Sequence, residues 1–159
     1  MRLWLKYLFF LTIFAILGFT REFLFVNINS QLYRLYYGHS NLPVPESLSF
    51  IKQYDFDTLY YSKYPLTFIT YLIYFITSFY AVRVLTDTKK YGKWVIYIYA
   101  LLLLLSSIAM AYNYFINRDL GGDEYTFSRW LMGIAQSPLV AFFIIAAGTL
   151  YKKFQPETK

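Results

Sequence analysis

Residues 94–116 read WVIYIYALLLLLSSIAMAYNYFI, a run of 23 residues without one charged side chain. An α-helix needs about 20 apolar residues to cross the ~30 Å hydrocarbon core of a bilayer, so this stretch is long enough to span it once. Working outward, three more long, mainly apolar runs appear: Leu3 to Val26, Pro65 to Leu85 and Trp130 to Tyr151. A chain of 159 residues cannot cover four such faces inside one water-soluble core. The expected fold is therefore all-α, a polytopic four-transmembrane-helix bundle in one domain, with a short interfacial helical outer loop over residues 27–64.

The first run resembles a signal peptide, with Arg2 and Lys6 ahead of it. It closes on Phe19-Thr20-Arg21-Glu22 with no small-x-small cleavage site, which reads as a retained helix. Cysteine is absent and His39 is the single histidine, which removes disulfides, thiol nucleophiles, thiolate metal sites and multi-histidine metal or haem ligation from this chain. No cofactor is expected. The 18 Tyr, 16 Phe and 3 Trp fit interfacial aromatic belts, and they also fit the amino-acid bias of an AT-rich genome.

The net charge of +6 does not mark a nucleic-acid surface, because the basic residues sort by loop. Arg2, Lys6, Arg83, Lys89, Lys90, Lys93, Lys152, Lys153 and Lys159 fall on one side, with Asp87 and Glu157. The other side has Arg21, Arg34, Lys52, Lys63, Arg118 and Arg129 against Glu22, Glu46, Asp55, Asp57, Asp119, Asp123 and Glu124. The positive-inside rule then puts both termini and the 86–93 loop in the cytoplasm.

In the outer loop, Ile28, Leu32, Leu35 and Tyr36 form a helical stripe that continues or follows helix one. Pro43-Val44-Pro45 breaks it, and Pro45-Glu46-Ser47 suits a new helix start with Leu48, Ile51 and Tyr54 on one face. The two segments read as an interfacial cap. The second outer loop, Asn117 to Ser128, contains Gly121-Gly122 and reads as a turn.

Small and polar stripes mark the faces on which membrane helices pack. Helix two offers Thr70, Tyr74, Thr77, Ser78 and Ala81, and helix three offers Ser106, Ala109, Met110 and Asn113. Helix four offers Gly133, Ser137 and Ala141 as a small-xxx-small seam. Pro138, which lacks an N–H and clashes with the Ile134 carbonyl, should kink it.

Six residues form the candidate binding set: Arg21, Glu22, Asn113, Arg118, Arg129 and Gln136. Arg21 and Glu22 precede four apolar residues, Phe23 to Val26, and so fall within the outer leaflet, where charge is costly unless it is paired or functional. Adjacent helical residues do not face each other, so each needs its own partner, with Arg118, Arg129, Asp119, Asp123 and Glu124 at similar depth. Snorkelling, a structural ion pair and a site for an anionic headgroup or peptide all remain open. Gln136 lies seven residues after Arg129, which would align a cation, an amide and a freed carbonyl opposite Asn113 as an outward polar pocket. The plainer alternative is a kink satisfied by Ser137 and Gln136 themselves. His39, beside Ser40, reads as a solvated loop residue.

Four helices in 159 residues, an Arg-Glu pair followed by aromatic and apolar residues closing helix one, and a Tyr-rich outer loop make a layout that resembles the small membrane proteins encoded beside exosortases in Bacteroidetes. Exosortases use a Cys, Arg and His set. With no cysteine here, the resemblance implies an accessory subunit and not the transpeptidase. The expected function is thus a non-enzymatic accessory or scaffold subunit of an envelope complex, with membrane lipids and a membrane protein, an exosortase by this resemblance, as partners and no nucleic acid. A lipid or small-molecule binding or transport protein is the alternative, although only helix four is interrupted and transporters commonly break helices in repeated halves. A membrane enzyme using Asp119, Asp123 or Glu124 has least support.

Overall fold

A computed structural model describes residues 3–38, 45–116 and 126–154, and among these the structure is all-helical. The helices are α1 (Leu3–Tyr37), α2 (Phe56–Thr86), α3 (Lys89–Ile116), α4 (Thr126–Ala135) and α5 (Leu139–Phe154), with a 3₁₀ segment, Glu46–Gln53, between α1 and α2. Three helices, α1, α2 and α3, are long and apolar enough to cross a membrane, and a fourth span follows if α4 and α5 count as one. His39, Arg118, Asp119, Gly121, Gly122, Asp123 and Glu124 lie outside the described residues.

Helices α1 and α2 overrun their apolar stretches. The chain stays helical beyond Val26 to Tyr37, and it is helical from Phe56, ahead of Pro65, which sits inside α2. Most of the segment expected as an interfacial loop is therefore the extended ends of two long helices. With 35 residues, α1 is about 52 Å long, well beyond the ~30 Å of hydrocarbon. Gly38 stops it at φ +77°, the left-handed conformation that only glycine adopts without steric cost, and its N–H bonds the Arg34 carbonyl at 2.8 Å.

Asp55 starts α2. Its carbonyl accepts the Leu59 N–H at 3.1 Å, and its carboxylate accepts the Thr58 N–H at 3.5 Å, the geometry of a helix N-cap. At the other end, α2 passes to α3 through a tight turn with Asp87 at φ 52°, a conformation that Asp tolerates better than most residues.

The chain divides into two compact units, Ala15–Thr70 and Met1–Phe14 with Tyr71–Lys159. In the larger unit, the expected stripe of α2 is largely inward: Tyr74, Ser78 and Ala81 are buried and Thr77 is half-buried, as is Thr70 at the end of the smaller unit. Tyr71 donates to the Tyr99 carbonyl at 2.9 Å, and the Tyr99 hydroxyl lies 3.0 Å from Ser78 Oγ. Each bond satisfies a polar group that hydrocarbon cannot hydrate. On α3, Ser106 is buried and its hydroxyl lies 2.7 Å from that of Ser128 on α4, whereas Met110 is exposed.

The seam expected on helix four differs in its details. A Cβ placed on Gly133 would meet no atom within 4 Å, so this glycine does not bring two helices together. Close approach occurs instead at Gly92, where a Cβ would lie 3.1 Å from Arg83 Cγ, and at Gly148, where it would lie 3.1 Å from the Tyr91 ring. Ala141 is fully buried, as a packing residue should be.

The expected kink is present. α4 and α5 meet at 57°. Ser137 Oγ donates to the Ile134 carbonyl at 2.7 Å, taking the acceptor that Pro138 cannot serve, and accepts the Leu139 N–H at 3.4 Å.

Candidate functional site

The six candidate residues do not assemble into one described site. Arg21 is half-buried with its guanidinium 5.8 Å from the centroid of the Phe25 ring, a cation–π contact four residues along the same helix. Glu22 is exposed. Arg129 is exposed whereas Gln136 is buried, so the two do not share the inward line that their seven-residue spacing suggests. The Gln136 N–H still bonds the Met132 carbonyl at 2.9 Å, so the difference lies in what each side chain meets and not in a loss of helical phase. Asn113 lies on α3 with its side chain outside the description, and Arg118 is not described at all.

The unit formed by residues 15–70 carries the more developed features. Its core is Ile28 and Leu32 of α1, Leu48 and Ile51 of the 3₁₀ segment, and Leu59 of α2, all buried, with Leu24, Phe56, Tyr60 and Leu66 packed against them. The spacing of Leu48 and Ile51, one 3₁₀ turn apart, puts both on one side of that segment and closes it over the two helices. Tyr54, expected on the same face, is exposed at the end of the segment. Within this unit α1 and α2 run antiparallel, since Tyr36 lies beside Phe56 while Leu24 and Leu66 line the same cavity.

That cavity has a volume of about 320 Å³. Its walls are mainly aliphatic, and its few polar groups belong to Tyr54, Thr58 and Ser62.

A chain of aromatic rings runs over the same unit. Tyr33 and Tyr37 lie 4.5 Å apart, Tyr37 and Tyr36 4.7 Å, Tyr36 and Phe56 6.0 Å, and Phe56 stacks on Tyr60 at 6.0 Å. From Tyr60 the chain continues to Tyr61 at 5.6 Å and Tyr64 at 6.0 Å, with the Lys63 ammonium 5.7 Å from the Tyr60 centroid. Tyr36, Tyr37 and Tyr61 are each more than half exposed.

Sequence reading missed a third feature. Asn27, Ser30 and Gln31 are buried on α1, and Gln31 Oε1 has no hydrogen-bond partner among the described residues. Their i, i+3, i+4 spacing is the signal that could have identified them once residues 27–37 were read as helix. Among the described residues no group of three His, Cys, Asp or Glu is placed to hold a metal ion. Comparison of the chain with protein-family models, curated proteins and solved structures gives no match.

Proposed function

We propose that this protein is a four-span integral protein of a bacterial cytoplasmic membrane, with both termini inside, acting as a non-enzymatic accessory subunit of an envelope complex. The observation that carries this reading is the continuous ring chain from Tyr33 to Tyr64, open at Tyr36, Tyr37 and Tyr61 and half-buried at Phe56 and Tyr60, on helix ends that outrun the bilayer. Tyrosine is favoured at contact surfaces because it offers a large apolar area with few rotatable bonds and a hydroxyl for a polar partner. Helix α1 adds to the reading, since only 11% of its most apolar window is buried within the chain, leaving most of it for lipid or a partner helix. An exosortase is the partner that the layout implies. The basic excess at the α2–α3 turn and the C-terminal end supports their cytoplasmic placement.

A photo-crosslinking amino acid at Tyr61 tests the partner. In intact cells it should yield one discrete adduct with a membrane protein, and the adduct should disappear when Tyr36 and Tyr37 are changed to Ala. Labelling only of lipid would defeat the reading. Orientation is tested separately with single cysteines at Ser49 and Lys93, of which only the first should react with an impermeant thiol reagent in spheroplasts. Equal or reversed labelling would overturn the topology.

A further inference from the structure

The geometry points to a second role for the 15–70 unit: its cavity holds one acyl chain of a membrane phospholipid. Leu24, Ile28, Leu48, Ile51, Leu59 and Leu66 wall a space of about 320 Å³, within the range of sites that enclose small molecules. Leu24 and Leu66 belong to the apolar runs that end at Val26 and begin at Pro65, so one end of the cavity lies level with the edge of the hydrocarbon. Thr58 also lines it, eight residues above Leu66 on α2, or about 12 Å along the helix. The hydroxyl-bearing residues Tyr54 and Thr58 thus sit toward the far end beside Leu48 and Ile51, Ser62 lies midway with its hydroxyl donating to the Leu59 carbonyl, and the aliphatic wall runs down to the bilayer.

This gradient matches a phospholipid in its normal orientation, with ester and phosphate oxygens beside the hydroxyls and a tail directed along Leu59 and Ile28. A partner side chain would not need a wall continuous with the membrane-spanning stretches. The charges nearby give no reason to select a headgroup. Lys52, Lys63, Arg21 and Arg34 are balanced within the unit by Glu22, Glu46, Asp55 and Asp57, so the tail is the recognised element. The inference rests on α1 and α2 crossing the bilayer and is independent of the proposed protein partner.

The test uses the full chain reconstituted with phosphatidylethanolamine carrying a diazirine at the end of one acyl chain, with adducts mapped by peptide mass spectrometry. Adducts should concentrate at Leu24, Ile28 and Leu66. Ser62→Trp and Thr58→Trp, which fill the cavity from its polar end, should each lower them roughly tenfold, since the tail loses most of its apolar enclosure. Adducts at the exposed, lipid-facing Phe68 and Ile69 should stay unchanged and serve as an internal standard for folding. Adducts spread evenly over lipid-facing positions, or undiminished in both variants, would overturn the inference. So would a change of oligomeric state in the variants without loss of adducts, which would assign the cavity to protein contact. Both variants keep Tyr36, Tyr37 and Tyr61, so failure here is distinguishable from failure of the docking reading.

Discussion

The Tyr99 hydroxyl and Ser78 Oγ meet at 3.0 Å in the contact between α2 and α3, with Tyr99 only 1% and Ser78 0% exposed. Interhelical bonds of this kind contribute about 0.6 kcal/mol on average and up to about 1.7 kcal/mol. Tyr99→Phe should therefore destabilise the protein in detergent unfolding by about 0.5–1.5 kcal/mol. Adding Ser78→Ala should cost little more, because the bond is already gone. Tyr99→Ala should cost about 3–5 kcal/mol, the range for truncating a large buried ring, since Tyr71 and Phe75 both pack on it at 5.5 and 5.3 Å. Full additivity of the Phe and Ala changes would show that the pair does not interact.

Glycine substitutions separate real close approach from apparent seams. Gly133→Ala adds a Cβ to open space in a helix and should stabilise by about 0.4–1 kcal/mol through reduced freedom of the unfolded chain. Gly148→Leu drives atoms into the Tyr91 ring and should cost about 1–3 kcal/mol. Tyr91→Ala should recover part of that loss by making room. Equal behaviour of Gly133 and Gly148 would contradict the packing described.

The four apolar stretches, the inward face of α2 through Tyr74, Ser78 and Ala81, and the kink at Pro138 were all legible in the sequence, because each depends on local periodicity or on proline chemistry. The glycine contacts were not. Whether a glycine matters depends on what faces it from another helix, and neither Tyr91 opposite Gly148 nor Arg83 opposite Gly92 leaves a mark at the glycine itself. The extension of α1 was one of two readings of the Ile28 to Tyr36 stripe, whereas that of α2 was hidden by composition, since residues 56–64 are polar and tyrosine-rich and the apolar run begins only at Pro65. The stop at Gly38 was passed over, because Pro43-Val44-Pro45 read as the break. The spacing of Arg129 and Gln136 could not show that one is exposed and the other buried, because that depends on what neighbouring helices bring to each.

Asp55 gives the cap a dependence on pH. Thr58, first through its side chain and then through its backbone N–H, holds the Asp55 carboxyl below its usual value. A carboxyl depressed in the folded state adds stability above its unfolded pKa and loses it as pH falls through the folded one. Asp55→Asn keeps a capping oxygen and should melt close to the wild type at neutral pH, with a flatter response to acidification through and below the carboxylate range. Asp55→Ala should melt lower at neutral pH and share the flatter response. Thermal melting across that range decides between this and a passive surface carboxylate, for which all three proteins would respond alike.

Ser137 and Pro138 act as one device, and a double-mutant cycle can show it. Proline leaves the Ile134 carbonyl without its normal helical donor, and Ser137 replaces it with its Oγ at 2.7 Å and its backbone N–H at 3.2 Å. Ser137→Ala should therefore cost about 0.5–1.5 kcal/mol in the native background, because the half-buried acceptor then keeps only the longer 3.2 Å bond from the Ser137 N–H. In a Pro138→Ala background the residue 138 N–H can reach Ile134 itself, so the same serine change should cost close to nothing. Pro138→Ala should also relax the 57° bend between α4 and α5. Spin labels at the exposed Phe127 and Tyr151 would then move apart by about 4 Å, as expected for straightening a helix of that length. If the serine change costs the same in both backgrounds, or the label distance does not grow, the bend is imposed by tertiary packing around Val140 and Ala141 and not by the proline.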